Sequence, residues 1–169
     1  MANNINKAEY LIIHHTATAR DMTTFAAVKK YHISLGWGDI GYHYFITADG
    51  KITPGRSEQT VGAHCKASNM NFQSIGICLA GNFMNETPTV PQLNALLRLT
   101  TFLSGKYIIK KDNVLGHREV TNAKTLCPGD HLLDWAIKYR KEEQVPSQPS
   151  ALNEAITHIE KALELLKTI

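Results

Sequence analysis

A chain of 169 residues, 43% hydrophobic and 20% charged, is long enough for one packed domain with a short appendage and too apolar for a disordered, collagenous or disulfide-scaffold protein. Eighteen Lys plus Arg against fifteen Asp plus Glu give a net charge of +3; the basic residues are scattered rather than striped, so no nucleic-acid interface is expected. Three cysteines leave at least one thiol unpaired, and no apolar run reaches the roughly 20 residues of a membrane span, so the expectation is a chain without signal peptide or membrane anchor, made and held in the cytoplasm.

In chain order, Tyr10-Leu-Ile-Ile-His-His is an apolar run followed by Thr-Ala-Thr, which predicts a buried strand with His14 and His15 at its C-terminal end. Past the capping types Asp21, Thr23 and Thr24, the spacing of Phe25, Val28, His32 and Leu35 predicts a helix that stops at Gly36. Tyr42 to Thr47 is rich in strand formers, and Ala48-Asp49-Gly50-Lys51 is the turn of a hairpin returning through Ile52-Thr53. Ile75 to Ala80 reads as a second strong strand. Pro91 opens another helix, with Leu93, Leu96, Leu97 and Thr100 on one face up to Gly105. A short strand at Val114-Leu115 leads into Gly116-His117, and a last domain helix starts near Asp130 with Leu133, Ala136 and Ile137 facing inward. This order predicts an α/β fold, helices packed on a mostly mixed sheet.

Residues 141–150 have a linker's composition, rich in Pro, Ser, Gln and charge. In 151–169, Leu152, Ile156, Ile159, Leu163 and Leu166 step by four, three, four and three, the seam of an amphipathic helix too short to stand alone in water. Docking on the domain, self-association and binding a partner are all compatible with it.

Eight histidines make metal ligation the chemistry to look for. His14, His117 and Cys127 each fall at a polar edge after a strand or in a loop. Two imidazoles and a thiolate form a catalytic zinc set that leaves a fourth position for water. By residue type alone, each is more often a core residue than a ligand, and a buried Cys is most often a small hydrophobe.

The blocks Leu11-Ile-Ile-His-His-Thr-Ala-Thr, Gly36-Trp-Gly-Asp-Ile-Gly-Tyr-His-Tyr, Gly62-Ala-His, Asn71-x-x-Ser-Ile-Gly-Ile, Gly116-His-Arg-Glu-Val and Cys127-Pro-Gly, in order across residues 10–140, resemble the type 2 N-acetylmuramoyl-L-alanine amidases. That family includes amidase-type phage lysozymes and is similar to peptidoglycan recognition proteins. The resemblance implies a central mixed β-sheet of about five or six strands flanked by helices, with a zinc groove on one face, and a catalytic domain over residues 1–140. It implies Zn2+ as cofactor, with His14, His117 and Cys127 as ligands, and peptidoglycan as the partner. Alternation along the strand turns His15 away from His14, into the core or behind the ligands.

Tyr42 stands where the family has its catalytic tyrosine; with an ordinary phenol pKa near 10 it orients water better than it abstracts a proton. Thr125 stands at the second catalytic position, a lysine in phage lysozymes, and resembles the amidase-active recognition proteins, where a hydroxyl steadies the oxyanion; Lys124 is one residue too early. His64 and Trp37 are implied substrate-binding residues of the groove, for peptide stem and sugar. Arg118 and Glu119 are expected to pair behind the ligands, and Cys65 and Cys78 to be buried thiols. The implied activity is zinc-dependent cleavage of the bond between N-acetylmuramic acid and L-alanine, as a phage or prophage endolysin reaching the wall at lysis. A non-catalytic muropeptide-binding module and a cytosolic recycling amidase are the rivals.

Overall fold

The computed structural model describes residues 6–141, and within them five strands form one mixed sheet in the order β3-β2-β4-β1-β5. β1 (Tyr10–His15) lies between β4 (Ser74–Leu79) and β5 (Val114–Gly116), parallel to both. β2 (Tyr44–Ile46) runs parallel to β4 on its other side and pairs antiparallel with β3 (Ile52–Pro54). Central parallel strands are covered on both faces, which explains why β1 and β4 read as nearly continuous apolar runs. The helices are α1 (Phe25–Ser34), α2 (Val90–Tyr107) and α3 (Asp130–Lys141).

Side-chain alternation sorts the strands into two faces. Leu11 and Ile13, Ile75, Ile77 and Leu79, Ile46 and Val114 point to one side, where Leu96, Leu99 and Leu103 of α2 and Leu132 and Tyr139 of α3 close a single core. Ile12, Phe45, Cys78 and Leu115 point to the other, which is covered by two smaller clusters, one around Met70 and Val120 and one around Ile40 with Phe25 and Val28 of α1.

Local chemistry accounts for the helix ends. The Thr24 side chain accepts from the Ala27 backbone N–H, and at α2 the Thr89 hydroxyl and the Gln92 side chain form a reciprocal capping box ahead of Pro91. Thr89 Oγ1 also donates to the Ala48 carbonyl (2.6 Å), tying α2 to the hairpin turn.

Several expectations need correction. Leu35 and Leu97 are exposed: α1 ends at Ser34, one residue before Leu35, and the inward stripe of α2 runs through Ala95, Leu96, Leu99 and Leu103 instead. α2 also continues through Gly105 to Tyr107, where Ile108 in the left-handed region ends it. In α3 the buried positions are Leu132, Ala136 and Tyr139, a register one residue from Leu133 and Ile137. Lys141 is the last residue of α3 rather than the first of a linker; the remaining linker and the 151–169 helix lie outside the described residues. Among the described residues no helix is long and apolar enough to cross a membrane.

Candidate functional site

β1 and β5 are parallel neighbours, so their C-terminal ends open on the same edge of the sheet, where α/β folds place their ligands. The register Ile13↔Gly116 therefore brings His14 and His117, a hundred residues apart in sequence, to ring centroids 4.6 Å apart. Cys127 is delivered by the loop after β5: the Arg118 N–H donates to the Cys127 carbonyl (2.8 Å), closing the loop on itself. The Arg118 guanidinium donates to the Leu126 carbonyl and pairs with Asp130 at 2.7 Å.

The ligand atoms of His14, His117 and Cys127 all lie within 4.8 Å of one another. His14 Nδ1 is 3.6 Å from Cys127 Sγ. A tetrahedral zinc ion, with about 2.3 Å to sulfur and about 2.1 Å to nitrogen, sets those two donors about 3.6 Å apart, so this pair fits the ion. A histidine, a second histidine and a thiol are also the donor types such an ion selects.

Electrostatics prepare the set. Burial holds the His14 imidazole well below its ordinary value, helped by neighbouring histidines, and burial also lowers His117; both are neutral at pH 7, the ligating form. Burial pushes the Cys127 thiol up to about 12, so a thiolate here needs a cation beside it. The His15 backbone N–H points at Cys127 Sγ (3.5 Å), while the His15 ring turns to the opposite face and accepts from the Phe83 N–H at Nδ1 (3.1 Å). The expected pair of Arg118 with Glu119 does not form: Glu119 accepts from Gly116 N and binds Arg140 (2.5 Å), and Arg118 goes to Asp130 because the loop folds back over it.

The other expected residues surround this cluster. Tyr42 packs its ring 5.2 Å from that of His14, and burial, then the nearby Cys78 and Cys127, hold its hydroxyl well above its ordinary value. A phenol so placed stays protonated at neutral pH. Thr125 Oγ1 accepts from the Cys127 N–H (3.1 Å), which leaves its own hydrogen to donate. Thr125, His117, His64 and Trp37 line one open groove of about 660 Å³. Lys124 lines it too, although its position in the chain suggested otherwise. A second pocket of about 460 Å³, lined by Thr16, Met22, Tyr31 and His32, reaches Tyr42 from the α1 side. Cys65 and Cys78 are buried free thiols.

Sequence reasoning missed three contributors. Asn71 accepts from the N–H groups of both His64 and Cys65 with its Oδ1 (2.8 Å each); an Asn just before a strand was the available sign. Lys66 and Asn122 line the groove and had no sign beyond their polarity.

Residues 4–130 match the family model described as N-acetylmuramoyl-L-alanine amidase. Peptidoglycan-recognition protein SC2 of Drosophila melanogaster is 38% identical over 135 residues, 75% of this chain and 71% of that protein. The endolysin of Enterobacteria phage T3 is 34% identical over 148 residues, 82% of this chain and 90% of the endolysin. Among solved structures, the N-acetylmuramoyl-L-alanine amidase LysC from Clostridium intestinale URNW superposes with a TM-score of 0.71 at 34% identity, over 81% of this chain and 86% of LysC.

Proposed function

The chain belongs to the N-acetylmuramoyl-L-alanine amidase family, and from that premise we propose that it is a zinc-dependent hydrolase that cuts the amide between N-acetylmuramic acid and the L-alanine of the peptidoglycan stem. The observation that carries this reading is the convergence of His14, His117 and Cys127 from three separate segments to within 4.8 Å of one another, with His117 also lining the open groove. Zinc held by these residues supplies a Lewis acid for the scissile carbonyl and lowers the pKa of water toward about 7.

The protein's own groups do the rest. The neutral imidazoles of His14 and His117 and the Cys127 sulfur would hold the ion, and the His15 N–H, aimed at that sulfur, favours its anionic form. Tyr42, protonated at neutral pH, is a donor that orients the attacking water rather than a base. Thr125, whose oxygen is occupied by the Cys127 N–H, turns its hydrogen to the oxyanion as the carbonyl carbon becomes tetrahedral. The C–N bond then breaks, leaving a carboxylate on the lactyl group and an amine on alanine. Of the two protons of the attacking water, one passes to the leaving nitrogen, which departs as the amine, and the other is lost to solvent as the new carboxylic acid ionises, while Tyr42 keeps its own proton and holds the water in line. The groove lined by His64 and Trp37 and the pocket beside α1 that Tyr42 lines give the substrate two places to lie.

The biological setting we assign is wall lysis by a phage or prophage endolysin, supported by the similarity to the T3 endolysin over most of both chains. The similarity to a recognition protein supports a second reading, a module that binds muropeptides without cutting them. Incubation of purified peptidoglycan with the protein, with and without a zinc chelator, separates the two. Chelator-sensitive release of alanine amino termini without new reducing sugar ends is the expected result. Pelleting with the wall and no new termini at any zinc concentration overturns the hydrolase in favour of the binding module. An endolysin pellets with intact walls, whereas a recycling amidase stays in the supernatant and cleaves only soluble muropeptides.

A further inference from the structure

His64 lines the groove, yet neither of its ring nitrogens is open to a ligand. Nδ1 lies 3.0 Å from Nε2 of His14, and Nε2 is buried without a hydrogen-bond partner. We infer that His64 is a positioning residue for the metal centre: its Nδ1 accepts the Nε2–H of His14 and so holds that imidazole in the tautomer and orientation in which Nδ1 faces Cys127. This rests on the ligand set proposed above.

The direction of the hydrogen bond follows from the geometry. His14 turns Nδ1 toward Cys127 Sγ (3.6 Å), so ligation through that nitrogen places the His14 proton on Nε2. The bond to His64 then has a single polarity, with His14 donating. His64 must accept with Nδ1 and carry its own proton on Nε2, which is the buried nitrogen with no partner. An unpaired buried N–H is unfavourable, and the opposite tautomer of His64 would present two N–H groups to each other across 3.0 Å. Nε2 has no hydrogen bond of ordinary geometry in either tautomer, so the 3.0 Å contact with His14 decides which nitrogen carries the proton.

The surroundings are shaped for this ring. Gly76 faces the groove on β4, between Ile75 and Ile77, which point the other way; a Cβ there would lie 2.6 Å from His64 Cγ and Cδ2 and 2.8 Å from Nδ1. A Cβ on Gly62 would lie 2.5 Å from His64 Cδ2 and 2.8 Å from Nε2. Two glycines therefore open the slot in which the imidazole sits, and Asn71 fixes the backbone at its base through the N–H groups of His64 and Cys65. A metal-ligating histidine generally has its second nitrogen bound to an acceptor that fixes its tautomer. Here another imidazole fills the place usually taken by a carboxylate or a backbone carbonyl.

The test is zinc affinity, measured by competition with a chromophoric chelator on folded protein. His64→Leu keeps the branch at Cγ but cannot accept a hydrogen bond, whereas His64→Asn offers Oδ1 where Nδ1 now stands. The expected result is a zinc Kd weakened about 10- to 100-fold in His64→Leu and restored to within about threefold of wild type in His64→Asn. Wild-type zinc affinity in His64→Leu with weakened muropeptide binding overturns the inference and makes His64 a substrate residue. Cys127→Ser is the control for the underlying reading: zinc binding unchanged in that variant removes the ligand set itself, whereas zinc lost there but retained in His64→Leu removes only the role of His64. Should His64→Leu not fold, imidazole nitrogen NMR of the zinc-loaded wild type decides alone. Protons on Nε2 of both His14 and His64 are expected, and a proton on Nδ1 of His64 overturns the inference.

Discussion

The two faces of the sheet are built on different principles. The face under α2 and α3 is a continuous apolar core in which β-branched and leucine side chains of four strands meet the inward stripes of two helices. The groove face divides its apolar residues into two small clusters, and His14, His32, His43 and His64 stand among or between them, bound mainly to backbone groups and to one another. His43 Nδ1 accepts from Gly76 N (3.0 Å) and His32 Nδ1 from Gly41 N (2.9 Å). One face stores stability in area removed from water. The other holds its side chains in place by directed bonds, at a cost in dry packing, and that is where a site needs precision.

If this division is right, substitutions on the two faces separate stability from metal binding. The largest effect is expected from Cys127→Ser, which should abolish zinc retention and peptidoglycan cleavage together while leaving the thermal midpoint of the metal-free protein nearly unchanged; metal content and released alanine termini report it. Leu96→Ala on the opposite face, where the side chain is fully buried, should cost about 2–5 kcal/mol in urea unfolding and leave the zinc Kd of the folded fraction unaltered. A shift in zinc affinity from that change would break the comparison.

Acid should act through the histidines. Burial, then the charges of Arg118 and His117, hold His15 at about 4, below the ordinary imidazole value of about 6.5. Between those two pH values the unfolded chain takes up a proton that the folded chain does not, so stability is full above about pH 6.5 and falls as the pH drops toward 4, by about 3 kcal/mol for this residue alone. Urea titrations of chelator-treated protein across that range measure it, and His15→Gln should flatten the curve. The smallest effect is expected at Thr89→Ala, about 1 kcal/mol from the lost cap, with α2 intact by circular dichroism and cleavage unaffected.

Local patterns made much of this legible in the sequence. Strands β1, β4 and β5 lie where apolar runs end in turn residues, and α1 and α2 begin where Thr24 caps the one and Pro91 opens the other. The helical registers were less legible, because Leu35, Leu97, Leu133 and Ile137 satisfy the same periodicity as their neighbours and only packing chooses among adjacent stripes. Glu58, which accepts from the hydroxyls of Tyr44 and Tyr107 and pairs with Lys106 at 2.7 Å, gave no sign at all: its partners come from a hairpin and a distant helix end.

The sequence by itself determined which donor types stand at the ends of its apolar runs, two histidines and a cysteine with a tyrosine near them, and the order of motifs that marks the family. Which atoms face one another was decided only by the tertiary structure. Parallel pairing of β1 with β5 brings His14 beside His117, the Arg118 bond returns Cys127 to them, and the gap at Gly76 admits His64 behind His14. These are contacts between residues tens to more than a hundred positions apart, and no local periodicity encodes them. The fold fixes them because the hydrophobic pattern of each strand allows one register, and that register carries His14 and His117 with it.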